Sequence, residues 1–266
     1  MSALGKSLRV GAAVVAVGAL LAGGAGAALV QVGDLVLRAD GGFTPRKLPR
    51  KAFAPIHFQG HADLSTRSGA IPPALQQAVI EFDRDGRMST GGLASCAPEQ
   101  VADSSPAVAR QACRAAIVGR GRVEALVALP GQPASEAESP LTLFNGPRQG
   151  GAATVVLHAQ MTSPALQTFA ILVPVERRAG RFRYRATLDV PAIAGGAGAL
   201  TRVAAKVGRR YTSQGKRRSY VSARCSDSVL ETRGRFTFSD GTIIDGSVMK
   251  GCYVRKWAVK DSNLRP

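Results

Sequence analysis

The chain has 266 residues, 45% of them apolar, enough for one large β domain or two ordinary ones, so its size does not demand a disulfide-only scaffold. Lys and Arg number 35 against 18 Asp and Glu, a formal net charge of +17 that suits polyanionic surroundings. Aromatic residues make up only 5%, which argues against the stacking platform of a single-stranded nucleic-acid binder.

At the N-terminus, Lys6 and Arg9 precede an apolar run from Val10 to Ala22 and then a small-residue stretch in which Ala25 and Ala27 fit an A-x-A cleavage site. Residues 1–27 therefore read as a signal peptide. The same stretch, Val10 to Val30, also has the length of an uncleaved anchor of about 20 residues, interrupted by five glycines. At the other end, Asp261 to Arg265 is encodable by the antisense of a transfer-RNA arm. This makes 253–266 an expected unfolded tail, its extent set by where a stop codon falls. Without the charges of both ends, 29 basic and 17 acidic residues remain, and the body is still +12.

Residues 28–53 include Thr44-Pro45-Arg46-Lys47-Leu48-Pro49-Arg50-Lys51, whose prolines and cations predict an extended connector. Ala54 to Leu64 alternates apolar and polar residues as a first strand does. His57 and His61 on such a strand lie roughly 13 Å apart, too far to share one metal. Leu75 to Thr90 predicts a hairpin turned by Asp83-Arg84-Asp85-Gly86, with Gly86 taking positive φ. The Asp-x-Asp-Gly sequence lacks the third ligand and the following Glu of a calcium loop.

Cys96 to Val118 is the helical passage, with Ser105 as cap, Pro106 in the first turn and an Ala-rich run behind them. Strand signals then recur between turn residues: Val123–Leu129, Leu141–Phe144, Thr154–His158, Phe169–Val175 and Arg181–Val190. In the last of these, Phe182, Tyr184, Ala186, Leu188 and Val190 alternate with Arg181, Arg183, Arg185, Thr187 and Asp189, which predicts a core face and a basic ladder. Ala194 to Ala199 is a Gly-rich turn without the Lys-Ser/Thr of a phosphate loop. Arg209, Arg210, Lys216, Arg217 and Arg218 flank a hairpin loop and form the densest positive cluster. Ser219 to Cys252 closes the domain as a hairpin turned at Asp240-Gly241, with Phe236 and Phe238 facing the core.

The fold class expected is mainly β, an antiparallel sandwich or open barrel with one short helical cap, over 54–252 as a single domain. Four cysteines allow three connectivities. Cys96 with Cys113 and Cys225 with Cys252 are preferred because each pair encloses one local unit. No CxxC spacing or nearby histidine supports zinc, and no metal or cofactor is expected.

Several passages together resemble uncharacterised exported proteins of high-GC Gram-positive bacteria. They are Phe82 to Arg87, Gly92 to Cys96, Ala109 to Gly119, Pro140 to Gly146, Ile193 to Gly198, Ser219 to Asp227 and Gly251-Cys252. The resemblance spans about Val32 to Cys252 and implies export and the extent of the domain, but assigns no activity and no catalytic residue.

The leading functional expectation is an exported, non-enzymatic β domain that binds an anionic envelope surface, phospholipid or wall polymer, or another exported protein. The candidate anion-binding residues are Arg181, Arg183, Arg185, Arg209, Arg210, Lys216, Arg217 and Arg218. An envelope carrier of lipid or another hydrophobic ligand is the alternative, and it requires an enlarged internal cavity. A hydrolase with a non-standard site is a third reading. The sequence has no G-x-S-x-G elbow and only three histidines, so no catalytic residue is assigned.

Overall fold

The computed structural model describes residues 27–254. In chain order it begins with β1 (Ala28–Val32), β2 (Leu35–Thr44), β3 (Lys47–Leu48), β4 (Ala54–Pro55), β5 (His57–Thr66), β6 (Leu75–Asp83) and β7 (Gly86–Met88). A helical passage follows, in which α1 (Pro106–Ala112) lies between 3-10 turns at Pro98–Gln100 and Arg114–Ala116. The next six strands are β8 (Ile117–Val127), β9 (Ser135–Asn145), β10 (Ala153–Met161), β11 (Gln167–Arg177), β12 (Phe182–Asp189) and β13 (Gly198–Val207). The chain then forms β14 (Arg210–Ser213), β15 (Lys216–Ser219), β16 (Val221–Ala223), β17 (Val229–Phe238), β18 (Ile243–Gly251) and β19 (Tyr253–Val254).

Twelve of these strands make one antiparallel sheet in the order β1-β2-β5-β13-β8-β9-β10-β11-β12-β6-β17-β18. The sheet curls until its two outer strands, β1 and β18, lie side by side, giving a nearly closed barrel. Small side chains line this seam: a Cβ built on Gly246 would sit 3.5 Å from Val30 Cγ2 and 3.9 Å from Ala28 Cβ. Lys250 crosses it to Asp40 at 2.6 Å. The close approach of β8 and β13 needs glycine at one point in particular. A Cβ on Gly121 of β8 would fall 1.9 Å from the Ala204 carbonyl oxygen of β13, a distance no side chain tolerates.

Inside, Leu35, Leu37, Leu64, Leu75, Phe238 and Ile244 form one cluster, and Val123, Val127, Leu141, Leu143, Met161 and Tyr220 belong to another, with Leu200 packed against both. The alternation of β10 shows why the sheet is buried on two sides here. Val155, Leu157, Ala159 and Met161 belong to the interior, whereas Val156 packs outward beneath the cap against Phe144, Val101 and Ala109. Ser105 Oγ accepts from Val108 N to cap α1, and a disulfide joins Cys96 to Cys113 beneath it. So short a helix is held by tertiary packing and this staple rather than by propensity.

A second disulfide, Cys225 to Cys252, sits with Phe43, Leu48, Ile56 and Ala223 in a cluster at one end of the barrel. Both cysteine pairs are those the sequence favours. That end also carries every short strand: β4-β16-β7, the hairpin β14-β15, and β3 in parallel pairing with β19.

Three expectations are corrected. Residues 28–53 are not a connector, because β1 and β2 lie within the large sheet, with Leu35 and Leu37 in its core. Leu35, Leu37 and Phe43 are buried, and that apolar area outweighs the proline signal further along. The unfolded tail does not begin at residue 253, since Tyr253 and Val254 pair with Lys47 and Leu48. Nor does 75–90 form a hairpin: β6 pairs with β12 and β17, β7 pairs with β16, and Gly86 is absent from the positive-φ residues. The corner is held instead by Asp85, which is buried and accepts from Arg224 Nε and Ser226 N, both at 2.7 Å. Residues 1–26 and 255–266, which bear on the signal-peptide and tail expectations, lie outside the described residues.

Candidate anion-binding end

In an antiparallel barrel every connection falls at one end or the other, so the distribution of charge can be read from the loops. At the end with the short strands, the connections are 45–56, 84–116, 146–152, 178–181, 208–228 and 252–254. Their basic residues number four, four, one, two, six and none; their acids number none, three, none, none, one and none, or 17 against four. The connections of the opposite end hold Arg67 against Asp34 and Asp240. The twelve large strands contain 11 of each sign. The net positive charge of the described domain is therefore carried by the connections of one end.

The expected basic ladder proves to be an ion-paired face. Glu81 of β6 lies in register with Arg185 of β12 and Arg233 of β17, and its carboxylate accepts from both. Arg185 Nη2 reaches Glu81 Oε1 at 2.8 Å, and Arg233 Nε reaches Oε2 at 2.8 Å. Burial pushes the Glu81 pKa up, but the Arg185 and Arg233 hydrogen bonds outweigh it and hold the group below the usual range. Arg181 pairs with Glu231. The alternation also breaks: a bulge between Phe182 and Tyr184 puts Phe182 on this outer face, under Arg233 at 4.7 Å. Arg181 and Arg185 are thus already compensated, which corrects their assignment to an open anion site.

Arg183 leaves the ladder at that bulge and lies over the ring of Phe53, 5.3 Å from its centroid. Arg224 and Arg87 approach the same ring at 5.2 and 5.5 Å. Sequence reading missed Phe53, Arg87 and Arg224. The available signal was an aromatic residue isolated in a Pro- and Arg-rich passage, where core burial does not explain it.

The cluster at Arg209–Arg218 divides in two. Arg209 is structural, because its Nη1 donates to the carbonyls of Ile117 at 2.8 Å and Arg114 at 3.3 Å. Arg210, Lys216, Arg217 and Arg218 lie on the exposed hairpin β14-β15 and make no ion pair among the described residues. The Tyr211 hydroxyl anchors this hairpin to the carbonyls of Ser89 and Gly91.

The histidines are placed separately. His158 is fully buried beneath the cap, with Nε2 3.0 Å from the Ser104 carbonyl oxygen, so that nitrogen carries the proton. Burial pushes its pKa down. His57 lies beside Gly208, and His61 borders a solvent-open hollow of ≈ 390 Å³ with Asp40, Arg120 and Lys206. A second open hollow, of ≈ 540 Å³, is bordered by Glu124, Glu136 and Glu138. Among the described residues no three His, Cys, Asp or Glu side chains form a metal-ligand group, and no helix is long and apolar enough to cross a membrane. No protein-family model, curated protein or solved structure matches the chain.

Proposed function

We propose that this chain is an exported, non-enzymatic β domain whose basic end binds an anionic surface of the cell envelope, either phospholipid head groups or a phosphate-rich wall polymer. The observation that carries this reading is the gathering of 17 cations against four acids in the connections of one barrel end. Such a molecule orients in the field of an anionic surface before contact, and its exposed hairpin cations meet that surface without first breaking an internal pair. Two disulfides suit an oxidising, extracytoplasmic environment and support export. The carrier reading has less support, since both hollows are open and bordered by charged side chains.

The test is cosedimentation of the oxidised full chain with phosphatidylglycerol vesicles and, separately, retention on immobilised polyglycerol phosphate. Binding at low salt is expected to be lost at about 1 M salt, where the Debye length is about 3 Å. Arg217→Glu with Arg218→Glu is expected to lower affinity at least about tenfold, and Arg67→Glu at the opposite end to leave it unchanged. No binding to either partner at low salt, or equal losses from both ends, defeats the proposal.

A further inference from the structure

Phe53 is the residue around which the most specific arrangement at the basic end is built. It immediately precedes β4, whose Pro55 pairs with Ser222 of β16, and Ser222 pairs in turn with Arg87 of β7. Arg87 therefore reaches the ring from β7, and Arg224 from the residue just after β16 of the same small sheet. Arg183 reaches it from β12, held alongside by Tyr184, whose hydroxyl accepts from Met88 N at 3.3 Å. All three guanidinium carbons lie within 5.5 Å of one ring centroid. A ring has two faces, so at least two of the three share one.

Only one of these charges is compensated. Arg224 gives its Nε to the buried Asp85 carboxylate, which also takes the Ser226 backbone N–H. Among the described residues, neither Arg87 nor Arg183 makes an ion pair or donates a side-chain hydrogen bond. The cluster thus carries two uncompensated positive charges held within cation–π distance of one ring. A guanidinium group held near an aromatic ring without a carboxylate partner keeps its N–H donors free, and phosphate oxygens match its planar edges in pairs.

We infer that Phe53, Arg87, Arg183 and Arg224 form a discrete site for a phosphate dianion, the terminal group of a phosphomonoester. Its two negative charges complement the two uncompensated guanidinium groups, whereas a carboxylate or a phosphodiester supplies one. The site deepens the surface-binding reading and rests on it for its biological setting: the diffuse hairpin charge is attracted to the phosphodiesters of the surface, and this cluster recognises terminal phosphomonoesters carried on it.

The experiment follows the Nε–Hε NMR signals of the arginines in the oxidised full chain during titration with inorganic phosphate, then with glycerol phosphate. Saturable shifts are expected at Arg87 and Arg183, with only weak, linear drift at Arg217 and Arg218. Arg87→Gln with Arg183→Gln is expected to lower phosphate affinity at least about tenfold while both disulfides and the near-ultraviolet dichroism persist. If that pair fails to fold, Arg183→Lys, which keeps the charge but loses the planar fork, is expected to weaken binding in the same direction. Uniform drift at all exposed arginines, or unchanged affinity in the variants, overturns the site. Saturable phosphate shifts in a protein that binds neither vesicles nor polymer keep the site and defeat the surface reading. Surface binding without those shifts does the reverse.

Discussion

His158 shows how a single buried side chain sets a pH limit on the fold. Its ring is sealed between β10 and the cap, with Nε2 on the Ser104 carbonyl and Nδ1 without a partner. Protonation would bury a charge there, so the folded pKa lies below the ordinary value of 6.5 that the unfolded chain retains. A group depressed in this way favours folding fully above 6.5 and opposes it as pH falls, because the unfolded state takes up the proton first. Urea midpoints are expected to decline between neutral pH and about pH 5.5, and His158→Gln to flatten that slope. The window separates this effect from the carboxylates whose values are lowered, whereas Asp83, pushed up by burial, adds stability as pH falls and so works against the decline. Glu81, Asp85 and Asp245 all have lowered values, and their contributions drain only as pH falls below the ordinary Asp and Glu range of 3.8 to 4.5. An unchanged slope in His158→Gln would assign the decline elsewhere.

At the scale of elements, the two disulfides fasten units of different kinds. Cys96 and Cys113 close a separation of 17 residues and hold the cap over His158; Cys225 and Cys252 close 27 and join the 208–228 connection to the end of β18. Loop-closure entropy alone gives about 3 and about 3.5 kcal/mol respectively. Replacing the first pair by serine is expected to speed amide hydrogen exchange in α1 and β10. Replacing the second is expected to do so in β16 and β19 and leave the cap protected; exchange that rises uniformly in both variants would show that the units are not separate. These local features were legible because their signals lie within a few residues. Ser105 caps α1, and Asp240 Oδ1 and Oδ2 accept from Thr242 in the turn where Gly241 takes φ 82°. Strand partnership was not legible, because the interactions deciding it are distant in sequence. Glu81 finds Arg185 at a separation of 104 and Arg233 at 152. The ladder looked open in the sequence for that reason: the acid that closes it belongs to another strand. The Phe53 cluster escaped for the same reason, its four residues coming from four separate segments.

Over the whole molecule, curvature and charge are set by different parts of the chain. The balanced strands build the barrel, and Gly121 permits a close approach of β8 to β13. Gly121→Ala is expected to destabilise the protein by more than about 3 kcal/mol, because the added carbon meets backbone on β13. Gly246→Ala at the seam meets only Val30 and Ala28 at ordinary contact distance and is expected to be neutral or stabilising by about 0.5 kcal/mol. Thermal unfolding of the two variants checks both, and equal losses would remove the distinction between the β8–β13 contact and the seam. The loops supply the net charge, and they do so on one side only. The hydrophobic pattern therefore speaks to the barrel, whereas function must be sought where the pattern stops.

The seam has a consequence for the order of folding. β1 and β18 are the first and last strands of the large sheet, and β19, still later, lies against β3 near the beginning. A chain made or threaded from its N-terminus can pair β1, β2 and β5 early, but those strands wait for nearly the whole remaining sequence before their free edge is covered. Such long-range closure makes assembly slow, and the early strands stay open to wrong partners in the interval. Cys252 directly follows β18, so the native bond to Cys225 forms only where that closing strand has reached its place.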